Sequence, residues 1–217
     1  DEANAILRRH FGGELVQTAA MTRRRFQRSD VGALAFVSAM WLLQVVPLFA
    51  IYTFAPTVLA ALHIGAASPA GALAITIAFL VGSLLALALL DSLGRRAICI
   101  GGFAVATAAF AVLAVAPGGV VVAVFVVYAL AIGAAAGLEL IYPSELFATP
   151  IRATATGFAA GISRIGAFLG TFALPVALAR FGVAWVMVAC AVLSLAGLIV
   201  AIAYAPETRG RVLDAAG

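Results

Sequence analysis

The chain has 217 residues, of which 65% are hydrophobic and 10% charged, with a formal net charge of +4 and a mean hydropathy of +1.18. Soluble domains carry about one quarter charged residues and under half apolar ones, so this composition excludes an ordinary water-soluble fold and places the chain in the bilayer. The charge-free runs are long, from Val31 to Leu90, Ala97 to Leu138, Ile165 to Ala179 and Phe181 to Pro206, and they lack the polar face a soluble helix needs.

Residues 1–30 hold Arg8, Arg9, Arg23, Arg24, Arg25 and Arg28. They are read as a cytoplasmic basic linker that sets topology, with DEANAILRRHF as an interfacial amphipathic helix, rather than as a nucleic-acid surface. The missing initiator Met and this leader suggest a piece excised from a longer protein. A bilayer-spanning helix takes about 20 apolar residues, and residues 31–205 supply six spans in an all-helical membrane domain. The first, about 31–62, contains Pro47 and Pro56 and is expected to be kinked or locally opened. In it Trp41, Gln44, Tyr52 and Thr53 fall near one face, where they line a cavity or make interfacial and helix-to-helix contacts.

The second span, about 70–90, leads into the turn Asp91 to Arg96, DSLGRR, where Gly94 permits a conformation closed to residues with a side chain. Asp91 there needs a cationic partner, because a helix carboxyl end disfavours negative charge. Spans at about 97–116 and 120–140 flank the break at Pro117, Gly118 and Gly119. Tyr142 to Ala155, YPSELFATPIRATA, is polar and reads as a loop with a short helical piece. It carries Glu145 and Arg152. The last spans, about 156–178 and 183–205, are joined at Arg180, Phe181 and Gly182, and the tail 206–217 begins at Pro206.

With six spans, the even connections and both termini share one membrane face. That face collects eleven arginines, at positions 8, 9, 23, 24, 25, 28, 95, 96, 152, 209 and 211, while Arg180 lies opposite and Arg164 falls inside a span. Positive loops stay cytoplasmic, so both ends are expected there. The shared face suggests a charge latch in which Glu145 pairs with Arg95 or Arg96, and Asp91 with Arg152. Charged pairs at a wet rim can form in one conformational state and break in another.

Arg164 costs several kcal/mol at its depth unless paired or hydrated. It is read as a buried pair with Glu139, as a substrate or proton-coupling group, or as a snorkelling side chain. Close packing is expected at Gly133/Gly137, Gly157/Gly161 and Gly166/Gly170. Cys99 and Cys190 lie in apolar runs without CxxC spacing, and His10 and His63 have no companions at ligand spacing. No metal or cofactor is expected. An intramembrane enzyme would need paired aspartates or a serine and histidine within spans, and a channel would need a polar pore ring. Neither pattern is present in the sequence.

Three motifs in order carry a family resemblance. DSLGRR resembles the loop between the eighth and ninth helices of major facilitator superfamily transporters, in particular sugar porters and metabolite symporters. YPSELF with Pro150, Arg152 and Gly157 resembles the loop after the tenth, and PETRG, Pro206 to Gly210, the ending after the twelfth. The resemblance implies helices seven to twelve, the C-terminal six-helix half of a 3+3 repeat fold in a bacterial inner membrane. The remaining six helices of the same transporter would be its partner. It implies proton-coupled transport of a small solute, with Asp91, Gly94, Arg95, Arg96, Glu145 and Arg152 as the cytoplasmic charge network and Gln44 as a substrate contact. Leu43, Phe49 and Leu140 replace polar or tryptophan positions of sugar porters, which leaves sugar and organic acid side by side. A non-transporting receptor or assembly module on the same fold is the alternative.

Overall fold

The structure is a computed structural model that describes residues 26–53, 69–115 and 118–209. The helices are α1 (Arg28–Thr53), α2 (Pro69–Leu93), α3 (Arg95–Leu113), α4 (Gly118–Ala136), α5 (Leu138–Leu146) and α6 (Thr149–Tyr204). No strand occurs among the described residues. Among the described residues, five stretches are long and apolar enough to cross a membrane: α1, α2, α3, α4 with α5, and α6.

α6 is one helix in name only. Its 56 residues would span about 84 Å if straight, yet its two ends meet: Thr208, just past the end, donates to Glu145, just before the start. The reversal is at Gly182, whose φ of 78° and ψ of 170° are non-helical. Residues 149–181 and 183–204 are therefore two antiparallel spans, which brings the spans to six.

Packing follows where side chains are small. A Cβ on Gly133 of α4 would collide with the Phe79 carbonyl of α2, and one on Gly82 with the Leu130 carbonyl of α4, so the two backbones touch directly. Ser83 Oγ spans the same contact by donating to the Gly133 and Phe79 carbonyls, each at 3.0 Å. Gly166 and Gly170 set residues 149–181 against Leu42 and Val46 of α1, and Gly197 sets the final span against Phe103 of α3. Lipid offers no hydrophobic drive for such contacts, so close backbone approach supplies the adhesion. Gly137, Gly157 and Gly161 differ from the expectation. A Cβ at Gly157 or Gly161 would meet open space and one at Gly137 only Ile141, one turn on, at 3.9 Å, so none of the three packs tightly against another described helix.

One core cluster gathers Ile51, Ile75, Phe110, Leu113, Val121, Phe125 and Met187. A second gathers Phe36, Trp41, Cys99, Tyr142, Phe147, Ile151 and Ala205. The second marks one end of the bundle, where Phe26 meets Phe147 at 6.4 Å and Phe36 meets Tyr142 edge-on at 5.2 Å. The starts of α1, α3 and α6 and the ends of α2, α5 and the described tail all lie there. Large apolar side chains such as Leu73, Ile77, Leu80, Leu84, Phe168 and Phe172 cover the outside, a surface suited to hydrocarbon or another apolar partner and not to water.

One boundary corrects the sequence reading: Tyr142 to Ala155 is not mainly loop, because α5 runs through Pro143 to Leu146 and α6 starts at Thr149 after two residues. α1 stays helical through Pro47, so it is not locally opened there. Residues 54–68, with Pro56 and His63, and the basic linker up to residue 25 lie outside the described residues, as does the side chain of Thr53.

Candidate functional site

At the end of the bundle that gathers the chain reversals, Gly94 turns α2 into α3 with φ 85°, a left-handed value that side chains disfavour. The turn puts Arg95 at the first position of α3, with its side chain only 12% exposed. Its Nε and Nη2 donate to the same oxygen of Glu145 on α5, at 3.1 and 2.9 Å. Nη1 donates to Asp91 Oδ1 at 3.0 Å and to the Leu90 carbonyl at 3.2 Å. A planar guanidinium can hold three acceptors in this way, whereas an ammonium could not match the fork.

Arg95 thus ties α3 to α5 and to the end of α2. The two carboxylates are not equivalent. Glu145 is 16% exposed and Asp91 89%, so the Glu145 contact is the stronger, an exposed pair being worth little.

The tail completes the cluster. Thr208 Oγ1 donates to the second oxygen of Glu145. Glu207 accepts the backbone N–H groups of Arg95 at 3.1 Å, Arg96 at 3.2 Å and Arg209 at 2.9 Å. Glu207 acts as the cap that Gly94 lacks, supplying a carboxylate at the positive end of α3. Burial alone would push its pKa up, but bonds from the backbone of Arg209, Arg95, Arg96 and Thr208 prevail and hold it below the usual carboxylate value. Arg96 Nη2 donates to the Ile202 carbonyl at 2.9 Å, Arg209 Nη1 to the Ser92 carbonyl at 2.7 Å, and Tyr142 to the Pro206 carbonyl at 3.2 Å. These tail contacts are the part of the site that residue-by-residue reading missed. The signal for them in the sequence is the PETRG motif, which carries both Glu207 and Thr208.

The pairing of Asp91 with Arg152 is corrected. Asp91 faces Arg95, its neighbour one turn on, while Arg152 Nε donates to the Phe147 carbonyl at 3.2 Å and closes the first turn of α6. Arg96 likewise does not reach Glu145.

A second group lies deeper. Since α6 begins at Thr149, Arg164 stands 15 residues in, about 22 Å along the axis, farther than a start at residue 156 implied. It is exposed on the open side of its helix, with its guanidinium 5.8 Å from the centre of the Phe49 ring. Glu139 faces both Arg164 and Trp41, but no direct ion pair joins Glu139 to Arg164 among the described residues. A closed buried pair is therefore not what the structure contains. On α1, Gln44 is 1% exposed with Nε2 unpartnered, and the Tyr52 hydroxyl is also without a partner. Among the described residues no group of three or more metal-binding side chains occurs.

Six apolar spans, closely packed through glycines and tied at one end by a charge cluster after spans two and four, define part of a major facilitator superfamily transporter. The family model for "Sugar (and other) transporter" matches residues 8–216, and the chain belongs to that family. It is 41% identical over 196 residues to the putative metabolite transport protein YaaU of Escherichia coli (strain K12), covering 88% of this chain and 44% of that protein. Over 230 residues it is 34% identical to the inner membrane metabolite transport protein YgcS of the same organism, covering 100% of this chain and 50% of that protein. Glycerophosphoinositol permease 1 of Candida albicans is 38% identical over 66 residues, 30% of this chain and 13% of that protein. The chain spans about half the length of the first two relatives. These relatives are transport proteins and not enzymes, and the chain is a multi-pass membrane protein.

Proposed function

We propose that this chain forms the C-terminal half of a secondary active transporter that moves a small polar solute, a sugar or an organic acid, by alternating access coupled to protons. The amino-terminal six-helix half is its partner, and the charge cluster is the cytoplasmic gate. Supporting the reading is the forked bond of Arg95 to Glu145, because it joins α3 to α5 at the wet end of the bundle and can be replaced by water when the helices part. The Arg28, Arg95, Arg96, Arg152 and Arg209 positions share that end, and positive segments stay in the cytoplasm, so the site faces inward from a bacterial inner membrane.

The test is uptake into proteoliposomes by the protein carrying both halves, with and without an inward proton gradient. Gradient-driven accumulation of a labelled sugar or organic acid is expected. Tight solute binding without movement, by protein that is folded and inserted, would instead mark a receptor or assembly module.

A further inference from the structure

The deeper group carries chemistry that the charge cluster does not. Arg164 lies in mid-span on the open side of its helix, where an unneutralised guanidinium against hydrocarbon costs several kcal/mol. That side therefore meets a wet cavity or a polar partner. One and two turns earlier, Gly161 and Gly157 leave open space beside the same face, so there is room next to the guanidinium. The Phe49 ring fixes one side of it by cation–π contact, leaving its fork of N–H groups without a bonded carboxylate among the described residues.

Glu139 is turned toward Arg164 and toward the Trp41 indole, but no ion pair joins it to Arg164 among the described residues. A guanidinium that keeps N–H donors facing open space asks for a ligand that accepts. A neutral sugar offers hydroxyls that donate as readily as they accept, and it would leave the guanidinium charge unmatched.

We infer that the transported solute carries an oxyanion, a carboxylate or a phosphate, and that Arg164 receives it in the open space beside its helix. This rests on the transporter reading above. The oxyanion takes the forked bonds that a planar guanidinium offers and an ammonium does not.

The experiment is uptake and counterflow by the two-half protein in proteoliposomes, using labelled benzoate, succinate, glucose 6-phosphate and glucose as probes. Uptake of at least one anion and none of glucose is expected, and the anion that enters tells carboxylate from phosphate recognition. Arg164→Gln should raise the KM for that anion about tenfold to a hundredfold, the size of a lost charge-assisted bond, while Arg164→Lys recovers part of it. Membrane yield and gel-filtration profile of both variants should match the parent, which separates ligand recognition from folding. Transport of glucose unaffected by Arg164→Gln, or anion transport with unchanged KM in that variant, overturns the inference and leaves the transporter reading standing. No movement of any probe in uptake or counterflow by well-folded protein overturns both.

Discussion

Arg95 grips a single oxygen of Glu145 with two donors, at 3.1 and 2.9 Å, while Thr208 holds the other oxygen. The carboxylate is thereby shared between α3, the third span, and the tail that follows the last span. Both partners are mostly buried, so neither can leave without replacement by water or by another charge.

Charge reversal tests that bond as a gate. Glu145→Arg places two guanidinium groups together and should lower transport by about tenfold or more, given 1.5–3 kcal/mol for a hydrogen bond between charged groups. Arg95→Glu combined with Glu145→Arg should recover a measurable part of the rate, since the pair is restored in reverse. Recovery will be incomplete because Asp91 and Thr208 are positioned for the original polarity. Initial uptake rates normalised to protein in the membrane decide it, and a double variant no better than the single one removes the latch.

Glu207 gives the tail a pH signature. Its folded pKa lies below its ordinary value of 4.5, so its contribution to stability is complete above that value and is lost as the pH falls through the lower, folded value. Glu207→Gln should therefore narrow its gap from the parent below about pH 4.5 and show it fully at pH 7. As the loss of a helix cap it should cost about 1 kcal/mol, a melting temperature lower by about 2–4 °C for a domain of this size. Melts of detergent-solubilised protein at several pH values provide the measurement.

Much of this was legible because bilayer physics is strict. Runs such as Val120 to Leu140 have no alternative to a spanning helix, since unpaired peptide groups cannot sit in hydrocarbon. The turn at Gly94 and the reversal near Gly182 were visible as glycines beside arginines, and both take positive φ. What could not be read was which neighbour each charge chooses. Asp91 and Arg95 are one turn apart across the Gly94 break, and only the actual turn geometry decides that Arg95 reaches both Asp91 and Glu145 while Arg152 folds back on Phe147. Spacing along one chain does not encode distance between helices, so Gly133 and Gly157 looked alike although one meets a carbonyl and the other open space.

That contrast between glycines is itself testable. Gly133→Leu forces α4 away from the Phe79 carbonyl and breaks the bridge made by Ser83. It should reduce folded yield severely, overpacking in a tight interface costing typically 1–3 kcal/mol or more. Gly157→Leu meets nothing among the described helices and should fold with yield near that of the parent. Fluorescence-detected gel filtration compares them directly. Equal loss in both would mean that Gly157 is as tightly packed in the assembled protein as Gly133.

The reversal at Gly182 makes the sharpest demand on topology. If residues 149–181 and 183–204 are separate antiparallel spans, Ser92 and Thr149 lie at one membrane face and Phe181 at the other, all three being exposed. The native thiols Cys99 and Cys190 are buried, which leaves a quiet background for single-cysteine labelling. Ser92→Cys and Thr149→Cys should be modified by a membrane-impermeant maleimide only in inside-out vesicles, because the arginines at their end favour the cytoplasm. Phe181→Cys should be modified only in right-side-out vesicles or whole cells. Labelling of Thr149→Cys and Phe181→Cys from the same side would make α6 a single span or a surface helix. In that case Glu145 and Thr208 could not meet as they do, and the gate built on their contact would fall with it.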